Sequence, residues 1–76
     1  MDIIKKILKH RTELKGIRLD GVYYEVDYVS DDLQTDEDLL IRAYQIDGYD
    51  IVASYEFTVA DIKNFKSVKL YKLQEI

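Results

Sequence analysis

The fold is decided in residues 39–58, which read LLIRAYQIDGYDIVASYEFT. Two runs, 39–46 and 50–58, alternate apolar and polar side chains and flank the loop Asp47-Gly48-Tyr49. Alternation with a period of two indicates β-strands, and a short connection that contains glycine indicates a β-hairpin. The sequence therefore predicts an antiparallel pair of strands here.

The register of this hairpin can be argued from its apolar residues. With a three-residue loop, one continuous apolar face places Leu39 opposite Phe57, Ile41 opposite Tyr55, and Ala43 opposite Ala53. The other face then pairs Tyr44 with Val52 and Arg42 with Ser54, beside Glu56. A strict two-residue turn would put Arg42 on the apolar face, so we expect the odd loop or a bulge.

A second hairpin precedes the first along the chain. Residues 17–19 and 22–30 flank Asp20-Gly21, a strong signal for a two-residue turn. Strict alternation along 22–30 puts Tyr24 and Tyr28 on one face with Val22 and Val26. It puts Tyr23 on the other face with Glu25, Asp27 and Val29.

Residues 3–15 read as an amphipathic helix. Asp2 is a suitable N-cap, and Gly16 lies where a left-handed residue is wanted after the helix. Arg11 projects into the apolar stripe, and we expect it to extend past the core to an acidic strand residue. The residues expected to be buried are Ile3, Ile7, Leu8 and Leu14.

The C-terminal part begins with the capping-box pattern Thr58-Val-Ala-Asp61, which predicts one helical turn to about Phe65 before a last strand at 67–73. The fold class is thus mainly β with an N-terminal helix. A helical turn between the fourth and fifth strands favours a five-stranded SH3/Sm-like small barrel. The alternative is an open α+β sheet with one packed helix.

Residues 39–73 resemble the end of a WYL-type domain, itself an SH3/Sm-like small barrel found in bacterial transcription regulators. The resemblance lies in Leu39-Leu40-Ile41-Arg42-Ala43-Tyr44 and in Phe57-Thr58-Val59-Ala60-Asp61-Ile62. The family usually carries basic residues near the Phe and before the Ile, where they help to hold nucleotide or nucleic-acid ligands. This chain has Glu56 and Asp61 there, so the resemblance implies the fold and leaves the ligand site without its basic residues.

Charge is sorted along the 76 residues, which are enough for a single domain. Segments 1–18, 19–61 and 62–76 carry net charges of +4, −11 and +3, which give −4 overall. A strongly negative surface attracts basic partners and repels nucleic acid. The excess of lysine over arginine fits AT-rich codons, as in a low-GC bacterium or its phage. No apolar run suggests a signal peptide or a membrane span, so we expect a cytoplasmic protein without membrane partners.

The chain carries no recognisable catalytic or metal-binding motif. The carboxylates at 31–38 fail as a calcium loop, because Glu37 stands where glycine is needed and Ala43 where a bidentate glutamate is needed. His10 is the only imidazole, there is no cysteine, and no serine lies in a nucleophile motif. We therefore expect no enzyme activity, no metal and no cofactor.

The seven tyrosines have two interpretations. Exposed tyrosine on an acidic surface is typical of protein-recognition patches, but strand faces also favour tyrosine for its shape alone.

The leading hypothesis is a non-enzymatic acidic module that recognises a basic protein surface, such as a phage or mobile-element inhibitor of a nucleic-acid-binding host protein. The alternatives are a WYL-like regulatory or ligand-sensing barrel, and a structural subunit or homo-oligomer. The predicted partner-binding residues are Tyr23, Glu25, Asp27, Asp31, Asp32, Asp36, Glu37 and Asp38.

Overall fold

A computed structural model describes residues 2–30 and 34–76. Its helices are α1 (Ile3–Lys9), a 3₁₀ turn (Asp36–Asp38) and α2 (Val59–Lys63). Its strands are β1 (Gly16–Leu19), β2 (Val22–Val29), β3 (Leu40–Asp47), β4 (Asp50–Thr58) and β5 (Val68–Tyr71). The predicted mainly β fold with an N-terminal helix is confirmed.

The strands form one antiparallel sheet in the order β4-β3-β2-β1-β5. β4 and β5 are its two edges, and within the described residues no strand pairing joins them. The sheet is therefore not closed into a barrel. The predicted turn at Asp20-Gly21 is confirmed: both residues have positive φ, 49° and 86°, as the tightest hairpin turns require.

Helix α1 begins as predicted but ends six residues early. The Asp2 carboxylate accepts a hydrogen bond from the Ile4 amide at 2.9 Å, which confirms the N-cap. Beyond Lys9 the chain turns, because the backbone of Lys15 forms hydrogen bonds with two strands of the sheet. The Lys15 amide donates to the Tyr71 carbonyl at 2.8 Å, and the Lys15 carbonyl accepts from the Val26 amide at 2.9 Å. Sheet pairing thus ends the helix.

The core lies on one face of the sheet, under α1 and α2. Of the residues expected to be buried from the helix pattern, Ile7 and Leu14 are buried, whereas Ile3 and Leu8 are half-buried. The capping box that starts α2 is present, and this helix buries Val59 and Ile62. The buried apolar residues are Ile4, Ile7, Leu14, Ile17, Leu19, Leu39, Ile41, Ala43, Phe57, Val59, Ile62 and Leu70.

The hairpin of β3 and β4 has the predicted strands but a register two residues away from the predicted one. Ile41 lies opposite Phe57 and Ala43 opposite Tyr55, because the turn has two residues, Gly48 and Tyr49. A bulge near Val52 restores the alternation that this short turn would otherwise reverse, so the bulge predicted as the alternative to an odd loop is confirmed. Arg42 consequently faces Glu56 directly, and Tyr44 faces Ser54.

Strand β2 contains a second bulge that reverses the predicted faces at its end. Val26 pairs with Ala43 and Tyr28 with Arg42, so Asp27 is the extra residue. Past the bulge, Val29 packs against the core and Tyr28 is exposed, the opposite of what strict alternation predicts. One inserted residue shifts a period of two by one step, which exchanges the faces.

None of the helices in the described residues has both the length and the apolar character needed to cross a bilayer.

Candidate binding surface

The sheet face opposite the core, here called the outer face, carries three of the predicted binding residues on β2. Tyr23 pairs across the sheet with Arg18, and Arg18 pairs with Lys69 on β5. Two residues further along, Glu25 lies between Gly16 and Tyr44. Strand pairing therefore builds a surface on which acidic, basic and tyrosine side chains are interleaved.

Tyr23 belongs to a small aromatic and cationic cluster. Its ring contacts Tyr71 edge to face, with 5.8 Å between centroids. The Arg18 guanidinium carbon lies 5.7 Å from the Tyr23 centroid and 5.9 Å from that of Tyr71, while the guanidinium donates to the Gly21 carbonyl at 2.9 Å. Partial burial, then the charge of Glu25, raises the pKa of Tyr23 above 10.0, so its hydroxyl is protonated at neutral pH. Tyr23 as a whole remains 39% exposed and is available to a partner.

Gly16 supports this cluster in a way that the sequence pattern does not reveal. It was expected to be a left-handed residue after the helix, but it is the first residue of β1 and its φ is not positive. A β-carbon at this position would overlap the Tyr23 hydroxyl and ring. Gly16 is therefore explained by the close approach of Tyr23 to the backbone.

Asp27 protrudes at the β2 bulge, and Glu25 is exposed two residues before it. Asp27 lies close enough to Tyr44 of β3 for its carboxylate to raise the pKa of the Tyr44 hydroxyl. One of the predicted binding carboxylates thus lies beside a tyrosine of the neighbouring strand.

The remaining predicted residues lie in the connection between β2 and β3. Asp36, Glu37 and Asp38 form the exposed 3₁₀ turn; Asp31 and Asp32 fall outside the described residues. The Asp38 carboxylate accepts hydrogen bonds from the backbone amides of Thr35 at 3.1 Å and Gln34 at 3.3 Å, so it shapes its own loop.

Among the described residues of the predicted site, Tyr23 and the 3₁₀ turn lie in different parts of the surface. Six residues separate Tyr23 from the end of β2, about 20 Å at the rise of an extended strand. Glu37 instead lies 3.9 Å from the Lys63 ammonium, beside α2. The described residues of the predicted site thus fall into an outer-face group, Tyr23, Glu25 and Asp27, and a loop group near α2, Asp36, Glu37 and Asp38.

The charge sorting of the sequence becomes a spatial separation. The two basic ends of the chain adjoin, because β1 pairs with β5 and the Lys6 ammonium donates to the Ile76 carbonyl at 3.1 Å. The acidic segment forms β2, β3 and β4 on the other side. In the ranges the structure describes there are two ion pairs, His10 with Glu13 and Lys63 with Glu37. Most acidic side chains there lie without a basic partner in contact.

Two concave sites flank the sheet, and the sequence pattern predicts neither. The first, about 490 Å³, lies between β4, α2 and the β1–β2 turn and is lined by Asp20, Glu56, Phe57, Asp61, Asn64 and Phe65. The second, about 260 Å³, lies between the turn after α1 and the β2 bulge and is lined by Arg11, Thr12, Leu14, Lys15, Val26, Asp27, Tyr28 and Val29. Each joins residues that are distant in the chain.

Arg11, which was expected to extend to an acidic strand residue, and Arg42 are both exposed. Arg11 lies in the second cavity with Asp27 but is in neither of the two ion pairs of the described residues. Arg42 lies on the outer face opposite Glu56. In that same part of the chain, no group of three or more histidine, aspartate or glutamate side chains is arranged to hold a metal ion.

The tip of the β3–β4 hairpin is an exposed apolar patch that sequence reasoning missed. Ile46 and Ile51 pair across the strands and are 44% and 58% exposed, with Val52 and Tyr49 beside them. The signal was present in the apolar residues that crowd both sides of Asp47-Gly48.

The chain matches no protein-family model, and neither a curated protein nor a solved structure is significantly similar to it.

Proposed function

We propose that this protein is a non-enzymatic acidic binding module that recognises a basic protein surface. The observation that carries the proposal is the separation of charge. Segment 19–61, with net charge −11, forms the adjacent strands β2, β3 and β4. Within the described residues its carboxylates take part in a single ion pair, that of Glu37 with Lys63. Carboxylates without basic partners project a long-range field that accelerates encounter with a basic protein. An inhibitor of a nucleic-acid-binding host protein, encoded by a phage or mobile element, is one such module.

The outer-face group gives this module its contact surface. Tyr23 combines a half-exposed ring with a protonated hydroxyl, and its orientation is fixed by Tyr71 and Arg18. A rigid tyrosine offers a large contact area at a small entropic cost. Glu25 and Asp27 place negative charge beside it.

The proposal is tested by affinity capture from the source organism or its host, with three immobilised proteins. These are wild type, the variant with Glu25→Gln and Asp27→Asn, and a control with Asp47→Asn and Asp50→Asn. Both variants lose two negative charges, but the control loses them at the hairpin tip. We expect basic proteins that are captured by wild type and by the control, are released by salt, and are not captured by the Glu25/Asp27 variant.

Kinetics on the captured partner provide the quantitative measurement. If the acidic strands steer association, the on-rate should fall steeply with ionic strength, and the Glu25/Asp27 variant should associate more slowly than the control. Equal capture by all three proteins, or an on-rate that does not depend on salt, would contradict the proposal.

The second cavity favours a second candidate function, ligand sensing of the WYL type. Arg11 and Lys15 line a concave site of about 260 Å³ in which their two positive charges face one carboxylate, Asp27, and this excess of positive charge suits a small anion. Thermal unfolding with inorganic phosphate or a nucleoside monophosphate tests this candidate. Stabilisation that Arg11→Gln abolishes and the exposed control Lys5→Gln retains would support it, and no stabilisation of wild type would exclude these ligands.

We further infer that the sheet is an open form of the SH3/Sm-like small barrel. The strand order β4-β3-β2-β1-β5, with α2 between β4 and β5, supports this assignment. The stretch that resembles a WYL-type domain covers β3, β4, α2 and β5.

A cytoplasmic location stays a prediction.

A further inference from the structure

The larger cavity lies beside the edge strand β4 and combines aromatic and acidic side chains. Its carboxylates come from three elements: Asp20 from the β1–β2 turn, Glu56 from β4 and Asp61 from α2. Its apolar surface comes mainly from the half-buried Phe65, which lies beside the largely buried Phe57. In the part of the chain that the structure describes, no lysine or arginine lines it.

Two of the three carboxylates are held in place by backbone hydrogen bonds. Asp20 accepts from the Ser67 amide at 2.8 Å. Asp61 accepts from the Thr58 amide at 2.9 Å and from the Thr58 hydroxyl at 3.0 Å, and these bonds lower the pKa of Asp61. These hydrogen bonds therefore keep the Asp20 and Asp61 carboxylates in a fixed arrangement at the cavity.

The aromatic part of the cavity is equally fixed. Phe65 meets Phe57 edge to face at 6.1 Å, and Phe57 stacks on Tyr55 at 5.6 Å with 12° between the rings. Tyr24 contacts both Tyr55 and Phe57, at 5.3 and 5.2 Å. An aromatic surface beside carboxylates attracts a cation that has an apolar stem, through its charge, its contact with the rings and its methylene groups.

We infer that this cavity binds an arginine side chain of an extended basic peptide segment that lies along β4. A planar guanidinium can stack on an aromatic ring and also donate to carboxylates, which a compact metal ion cannot do. β4 is an edge strand of nine residues, so alternate backbone groups along it face outward and can pair with an added strand. This inference rests on the proposed function and specifies where and how a basic partner is held.

The test is an NMR titration of ¹⁵N-labelled protein with a blocked five-residue peptide in which arginine alternates with valine. The same peptide with citrulline in place of arginine is a neutral control of nearly the same shape. The proteins are wild type, Glu56→Gln and the matched control Asp50→Asn, which removes one charge at the other end of β4. At 0.1 M salt the screening length is about 10 Å, whereas six residues of strand separate Asp50 from Glu56 by about 20 Å.

We expect saturable shifts of the amides of Asp20 and of residues 56–65 with the arginine peptide and none with citrulline. Glu56→Gln should weaken binding by about threefold, as expected for one carboxylate at an exposed ion pair, and Asp50→Asn should leave it unchanged. Unperturbed spectra of the free variants establish that both remain folded.

The results separate this inference from the proposed function. Equal binding of the two peptides, or equal weakening by Glu56→Gln and Asp50→Asn, would overturn the arginine site. Arginine-dependent shifts confined to Tyr23, Glu25 and Asp27 would also overturn it, while leaving the acidic module and its outer-face group supported. The proposed function itself is tested separately by the capture experiment, which uses neither Glu56 nor this peptide, so a negative result there does not depend on the arginine site.

Discussion

Replacing Gly16 with alanine should displace the Tyr23 ring and so test how the outer-face cluster is held. The added β-carbon would overlap the Tyr23 hydroxyl and lie 2.6 Å from Cε1, so the ring must rotate away. It would then lose its edge-to-face contact with Tyr71, about 0.5–1.5 kcal/mol, and its contact with the Arg18 guanidinium, about 0.5–1 kcal/mol. Against these losses, alanine in place of glycine within a strand stabilises the folded protein by about 0.5–1 kcal/mol.

The net effect on the free energy of unfolding should be a loss of about 1 kcal/mol, or roughly 4–8 °C in melting temperature for a domain of this size. The decisive measurement is a double-mutant cycle with Tyr23→Ala, read by urea unfolding. In the Tyr23→Ala background, Gly16→Ala should stabilise the protein, because nothing then occupies the space above the glycine. The coupling energy should be about 1–2.5 kcal/mol. If Gly16→Ala had the same effect in both backgrounds, the explanation of Gly16 by Tyr23 would be refuted.

Three further predictions concern the core, a helix cap and nucleic acid. Ile7→Ala should lower the free energy of unfolding by about 2–5 kcal/mol, and Leu8→Ala should lower it by clearly less, because Ile7 is fully buried and Leu8 is half-buried. Equal losses of the two variants in denaturant unfolding would contradict the packing of α1. Thr58→Ala should cost about 0.5–2 kcal/mol through the lost N-cap. The pKa of Asp61 in the folded protein lies below its ordinary value of 3.8. The charged Asp61 carboxylate therefore stabilises the folded protein above pH 3.8, and this stabilisation is lost as the pH falls through the folded pKa. The free energy of unfolding should therefore differ between wild type and Asp61→Asn at pH 6, and this difference should vanish in acid. A difference that did not depend on pH would refute the stabilising role of the Asp61 carboxylate. The protein should show no submicromolar, salt-sensitive binding of DNA or RNA at physiological salt in an anisotropy titration, because its acidic strands repel phosphate.

Much of the local structure could be predicted from the sequence, because it depends on short-range chemistry. The N-cap at Asp2, the hairpin turn at Asp20-Gly21 and the capping box of Thr58 and Asp61 each involve residues within a few positions of one another. Alternation likewise located the strands of the β3–β4 hairpin. These features follow from backbone hydrogen bonds and allowed dihedral angles, which neighbouring residues determine.

The candidate site could be predicted only in part. Tyr23 and Glu25 lie on the outer face as alternation requires. The register of β3 and β4 was wrong by two residues, and the bulge at Asp27 exchanged the faces of Tyr28 and Val29. The apolar pattern of the β3–β4 hairpin calls for either an odd loop or a bulge, but which of the two forms depends on which side chains fit the core, and the bulge at Asp27 has no such signal.

The sequence by itself determined the helix start, the Asp20-Gly21 turn, the strands and the sorting of charge along the chain. The tertiary structure decided the rest: that the two basic ends adjoin, that Gly16 makes room for Tyr23, and that Asp20, Glu56 and Asp61 surround one cavity. These relations join residues tens of positions apart, for which the chain has no periodic signal. They arise only when the core face of the sheet is buried, because burial fixes the strand order and the register, and through them the neighbours of every exposed side chain.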